Sequence, residues 1–180
     1  MMKDFDDKEF TDEELRAGLK DRMSGGYMVP VWTGSSLNKR GIRFMMNRLI
    51  DNMPSAKEHA PVSAVKRDGS SQLITADANG PLAAFVFKTI ADPFVGKISL
   101  FRVYSGTLKA GSTVYNANKE ADERISGLAV MLGKNQITVD QIEAGDIGAI
   151  TKLNQTLTGD TLCDKSKPLI LPRIVYPPAP

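Results

Sequence analysis

Ser35, Ser36 and Leu37 stand where an α/β protein would hold a ligand. They follow the apolar run Tyr27-Met28-Val29-Pro30-Val31-Trp32-Thr33 and precede a segment with helical patterning. Open α/β sheets bind ligands at the carboxyl end of a strand, just ahead of a helix, and small residues there let backbone amides approach a planar ligand edge. The same residue types also make an ordinary turn and helix cap. Elsewhere the available chemistry is narrow. One histidine, His59, and one cysteine, Cys163, build neither a His/Cys metal site nor an internal disulfide. His59 lies in a loop-like stretch and reads as solvated, so no serine or cysteine has a credible base. Cys163 reads as a buried structural thiol. No segment places two glycines around four residues and follows them with Lys and Ser or Thr, the cradle that holds a triphosphate. Carboxylates are plentiful, but spacing along the chain singles out no pair. These residues predict no catalytic group and no metal site.

The elements that would position Ser35 begin at Thr11-Asp12-Glu13-Glu14, a reciprocal capping pattern. Leu15, Leu19 and Met23 then fall on one helical face until Ser24-Gly25-Gly26 ends the run. The apolar stretch 27–33 predicts a strand, with Pro30 arguing for an edge. Ile42, Met45, Met46, Leu49, Ile50 and Met53 predict a second helix that stops at Pro54. Helix, strand, turn and helix is an α/β rhythm, yet one strand and two helices leave a sheet face uncovered. Residues 55–80 are loop-like and mark a domain boundary. Beyond Pro81, short β-branched and aromatic runs alternate with turn signals at the spacing of a sandwich or barrel: 82–90, 97–104, 113–117, 124–132, 147–153 and 169–176. Closure into a small antiparallel barrel would remove the exposed edges.

At 180 residues, 42% hydrophobic and 24% charged, the chain is neither disordered nor long enough for more than one ordinary or two small domains. No apolar run approaches the ~20 residues that cross a bilayer, and no leader pattern opens the sequence. The expected setting is soluble and cytoplasmic. The net charge of +2 does not advertise a nucleic-acid binder. Its distribution is uneven, with a net of −5 over 1–14 (two lysines, seven acids), +5 over 15–60 (eight basic, three acidic) and +3 over 81–118 (Lys88, Lys97, Arg102 and Lys109 against Asp92).

Taken together, these pieces resemble one family. Pro81-Leu82-Ala83-Ala84-Phe85-Val86-Phe87-Lys88, Ala91-Asp92-Pro93-Phe94-Val95-Gly96-Lys97 and Leu100-Phe101-Arg102-Val103-Tyr104-Ser105-Gly106-Thr107-Leu108-Lys109-Ala110-Gly111 look like the start of domain II of bacterial elongation factor G. Ala144-Gly145-Asp146-Ile147 and Thr158-Gly159-Asp160-Thr161-Leu162-Cys163-Asp164 are similar to its later strands and turns. Val29 to Ser36 resembles the last strand of the family's GTPase domain with its guanine-contacting Ser-Ala motif, Ser36 standing for the usual alanine.

The resemblance implies an α+β, mainly β fragment. Residues 1–57 would be a helix-strand-helix remnant of a GTPase domain, 58–80 a linker, 81–176 a closed domain II β-barrel and 177–180 the exit toward a further domain. It implies a non-catalytic module of the GTP-dependent factor for ribosomal translocation. GTP and magnesium would belong to the parent protein, with no cofactor held by the fragment. Ser35, Ser36 and Leu37 would be a residual guanine motif. Lys97, Arg102 and Lys109 would be contacts to small-subunit ribosomal RNA, although Arg102 also reads as an ion-pair partner or as a stem packed over apolar neighbours. The remaining partners would be the other domains of the parent chain, with no membrane and no DNA. A ribosomal protection protein against tetracycline and a paralogue of the factor share this architecture. A self-contained small-molecule enzyme centred on Ser35 is the remaining alternative.

Overall fold

The computed structural model describes residues 9–93, 95–175 and 177. Most of the acidic segment 1–14, Phe94, Tyr176 and the exit segment beyond Pro177 lie outside the described residues. The chain divides into two compact units, residues 1–58 and 59–180. Among the described residues, no helix is long and apolar enough to cross a membrane.

The first unit holds α1 (Asp12–Ser24) and α2 (Ile42–Asn52). Thr11 caps α1 as its sequence predicts: its side chain accepts from the Glu14 amide, and the Glu14 carboxylate accepts from the Thr11 amide at 3.0 Å. Tyr27–Thr33 is not the expected strand. It pairs with no strand, and Tyr27, Val29 and Val31 are about four-fifths exposed. A strand needs a laddered neighbour, Pro30 lacks an amide to offer one, and the described residues of this unit supply none. At the end of the unit, Lys20 and the Ser55 amide bind Glu58 and hold its carboxyl at about 2.

The second unit is β throughout, so the chain as a whole is α+β and mainly β. Residues 58–80, expected to be a linker, contain β1 (Val62–Lys66) and β2 (Ser71–Ile74), a hairpin turning at Asp68-Gly69. With β13 (Leu169–Ile170) they form a three-stranded antiparallel sheet in the order β13-β1-β2. The main sheet contains β3 (Ala83–Asp92), β4 (Gly96–Ser105), β6 (Thr113–Asn116), β7 (Ala121–Arg124), β8 (Leu128–Leu132), β9 (Asn135–Thr138), β11 (Ile147–Thr151) and β12 (Thr161–Cys163). Its order is β7-β6-β12-β3-β4-β11-β8-β9. The short strands β5 (Thr107–Lys109) and β10 (Gln141–Glu143) pair only with each other.

The ladder is therefore open, not the closed barrel expected: β7 and β9 end it without pairing to each other. The chain turns between β7 and β8, where single backbone bonds such as Ile125 N to Ser112 O (2.9 Å) replace a ladder. The β5–β10 ribbon joins the sheet by packing instead, since Leu108 and Ile142 share one buried cluster with Val86, Phe101, Val103, Leu128, Ile150 and Leu162. Gly148, paired opposite Phe101, makes this possible. A Cβ there would strike the Ile142 side chain and come within 2.8 Å of Phe101 Cζ.

Period-two alternation gives the main sheet a second apolar face. Ala84 and Val86 point to the first cluster, whereas Ala83 and Phe85 join Cys163, Ala64, Ile74, Leu169 and Leu171 in a second, beneath the three-stranded sheet. Gly106 lets the β4–β5 corner close over Leu82. Its φ is +76°, and a Cβ would lie 2.7 Å from Leu82 Cα. Gly106→Ala should destabilise the unit by about 2 kcal/mol through left-handed backbone strain and this clash, read as a lowered thermal midpoint; an unchanged midpoint would contradict the corner's geometry.

Candidate functional site

Ser35 and Arg40 pair as an isolated antiparallel bridge, each amide donating to the other's carbonyl at 3.0 Å. Within this loop Ser35 Oγ accepts from the Asn38 amide at 3.3 Å, and Lys39 takes a left-handed φ of 53°. Gly34 permits the tight approach, because a Cβ would sit 2.9 Å from the Arg40 carbonyl. Ser35, Ser36 and Leu37 thus form the turn but do not cap α2, whose N-cap is Gly41 five positions beyond Ser36. Leu37 is almost wholly exposed.

The three candidate RNA contacts are not brought into one patch. Lys97 and Arg102 are five residues apart on β4, an odd spacing that sends their side chains to opposite faces of the sheet. Lys97 donates to the Thr156 carbonyl and is half-buried. Arg102 places its guanidinium 5.2 Å from the centre of the Tyr104 ring, a cation–π contact on the face that carries the second cluster. Lys109, on β5 opposite Gln141, is exposed. Of the three, Lys109 is the one best placed to meet a phosphate from solvent.

The most elaborate polar arrangement was not legible from the sequence. Glu123 on β7 is 1% exposed, and its carboxylate accepts from the amides of Asn154, Gln155 and Thr156 at 3.0, 2.7 and 2.9 Å and from the Thr156 hydroxyl at 2.9 Å. Burial alone would push its carboxyl up, but these donors hold it below the ordinary carboxylate range. Asn116 Nδ2 donates to Thr156 Oγ1 (2.9 Å) and to Asp160 Oδ2 (3.1 Å), and Asp160 in turn accepts from the Leu157 amide at 3.0 Å. The network clamps the 154–160 loop onto β6 and β7. Its donors and acceptors are committed to one another, so its chemistry is architectural.

His59 is exposed, with Nδ1 2.9 Å from the Ala60 carbonyl. Cys163 is buried, and burial pushes its thiol up, away from a reactive thiolate. Among the described residues, no group of three or more His, Cys, Asp or Glu side chains is gathered closely enough to share a metal ion.

Comparison with known proteins agrees with this architecture. A family model described as "Elongation factor G domain 2" matches residues 81–165, the span from β3 through β12. A crystal structure of a protein from Thermus thermophilus is similar over 92% of this chain at 28% sequence identity with a TM-score of 0.67. This chain spans 22% of the length of that protein. The matched segment carries the main sheet, its inner core and the Glu123 clamp, and it is this segment that is similar to domain 2 of elongation factor G.

Proposed function

We propose that this chain serves as a non-catalytic ribosome-docking and interdomain module of an elongation factor G, the factor that couples GTP to ribosomal translocation. The observation that carries this reading is the family match over residues 81–165. In that family the second domain packs on the GTPase domain and leans on small-subunit ribosomal RNA. Basic side chains on the outer surface of this unit, Lys109 among them, suit phosphate contacts that fix position without reading sequence. Docking, not turnover, is the function this surface supports. GTP and magnesium belong to the parent protein in this reading, because the chain carries neither the phosphate-cradle pattern nor an Asn-Lys-x-Asp guanine motif. In this reading the Ser36 amide is the one that would meet a guanine edge, the Ser35 amide being spent on the Arg40 carbonyl, and the sequence carries no phosphate-cradle pattern beside it. The working compartment is the cytoplasm, where ribosomes are.

Two measurements test this. Titration calorimetry of the 180-residue chain with magnesium and GTP should show no binding; micromolar affinity would overturn the non-catalytic reading. Co-sedimentation with small ribosomal subunits should be visible at low salt and fade as salt releases the advantage of displaced counterions. Absence of co-sedimentation at low salt, or tight binding indifferent to salt, would contradict docking through phosphates.

A further inference from the structure

A concave surface lined by basic side chains lies among residues other than Lys97, Arg102 and Lys109. Two adjoining cavities of about 610 and 230 Å³ share Lys66, Arg67, Pro168 and Leu169 in their walls and so form one continuous trough. It runs between the β1–β2 turn and the segment entering β13. Lys167 adds a third cation to the larger part, and Tyr115 adds an aromatic ring to the smaller. Two carboxylates, Asp68 and Glu120, also line the trough and leave it a net charge of +1 (three cations, two anions). Asp68 is committed to its own turn, accepting from the Ser70 amide and hydroxyl at 2.9 and 2.6 Å. Glu120 lies 3.9 Å from Arg67, but both side chains are at least 70% exposed, where such a pair is worth little in water.

We infer that this trough seats the phosphate backbone of RNA, with Lys66, Arg67 and Lys167 on successive phosphates. The inference rests on the ribosome-docking reading and specifies a surface for it. A guanidinium offers a planar fork matched to phosphate oxygens, and ammonium groups spaced along an open channel match a chain of evenly repeated charges. The ring of Tyr115 among cations is the mixture that tracks single-stranded nucleic acid. Lys66 and Arg67 lie outside residues 81–165, and Lys167 lies just beyond them, so the domain match assigns them no role.

The test uses the whole chain and a variant carrying Lys66→Gln, Arg67→Gln and Lys167→Gln. The probes are a fluorescein-labelled oligouridylate, read by anisotropy, and small ribosomal subunits, read by co-sedimentation. The variant should bind both at least about tenfold more weakly, and its log–log salt slope should be shallower by about 2, three contacts at ~0.7 each. Lys134→Gln, an exposed cation lost elsewhere, should leave both within about twofold, since one phosphate contact is the most it could remove. Arg67→Lys should keep the salt slope yet lose affinity, because the charge stays while the fork goes. The replaced side chains are exposed, so the melting temperature should hold and a folding defect would be visible separately. If the unaltered chain binds subunits and the triple variant binds them equally well, the trough is overturned and docking stands. If oligouridylate binding is lost in the variant but the unaltered chain never binds subunits, the trough is supported and the docking reading fails. Binding of polyglutamate in place of oligouridylate would overturn RNA as the occupant.

Discussion

Phe101→Ala should cost the β unit about 4 kcal/mol, the range for emptying a buried aromatic site whose walls cannot collapse. The ring is 0% exposed and sits where the main sheet and the β5–β10 ribbon meet. Its neighbours are held on both sides: Val86 and Val103 by ladders, Leu108 and Ile142 by the ribbon's own pairing. Gly148 leaves no side chain to swing into the void. In urea the midpoint should fall by the full amount while the slope stays unchanged, because the surface exposed on unfolding is nearly the same. Ile147→Ala, next to Gly148 but 56% exposed, should cost under about 1 kcal/mol. A loss below about 1 kcal/mol for Phe101→Ala would mean that the ribbon does not seal a shared core.

Glu123→Ala should destabilise the same unit by about 3 kcal/mol, since a buried charge-assisted acceptor is removed and its donors are stranded. The Thr156 amide and hydroxyl are buried and lose their partner outright, while the exposed Asn154 and Gln155 can turn to water. Glu123→Gln keeps the shape but presents an NH2 group to amide donors, so it should recover less than half of the loss. The same site sets a pH dependence. The Glu123 carboxyl titrates lower when folded than when unfolded, so its contribution is complete above the ordinary carboxylate range. It is lost as pH falls through the folded value. Chemical denaturation at neutral pH and at progressively acid pH should show the stability gap between wild type and Glu123→Gln narrowing on the acid side. A gap that widened with acid would contradict the hydrogen-bonded carboxylate.

How much of this was readable in advance differs by element. The α1 cap was legible because all its partners lie within four residues, and the core of β3 and β4 was legible because alternation is a local property. The hairpin β1–β2 carried a signal, Asp68-Gly69 between two short alternating runs, but its strands bury only Ala64 and Ile74, so the stretch looked like a linker. The odd spacing of Lys97 and Arg102 already placed them on opposite faces, which counting residues along β4 would have revealed. The stretch 27–33 failed in the other direction. Its composition suits a strand, but strands form only where a neighbour completes the ladder.

Two features were beyond any local reading. Glu123 meets donors 31 to 33 residues away, and the trough joins Lys66 and Arg67 to Lys167, a hundred positions later, through windows that are each nearly neutral. From the sequence alone came the α+β composition, the two helices, the central strands and, by resemblance, the translation-factor family, because these depend on periodicity and on motifs of contiguous residues. The open ladder with a ribbon packed into its core, the buried carboxylate clamp and the cationic trough were decided by the tertiary structure. Each requires groups distant in the chain to be desolvated or aligned together, and the free energy of doing so exists only once the sheets have packed.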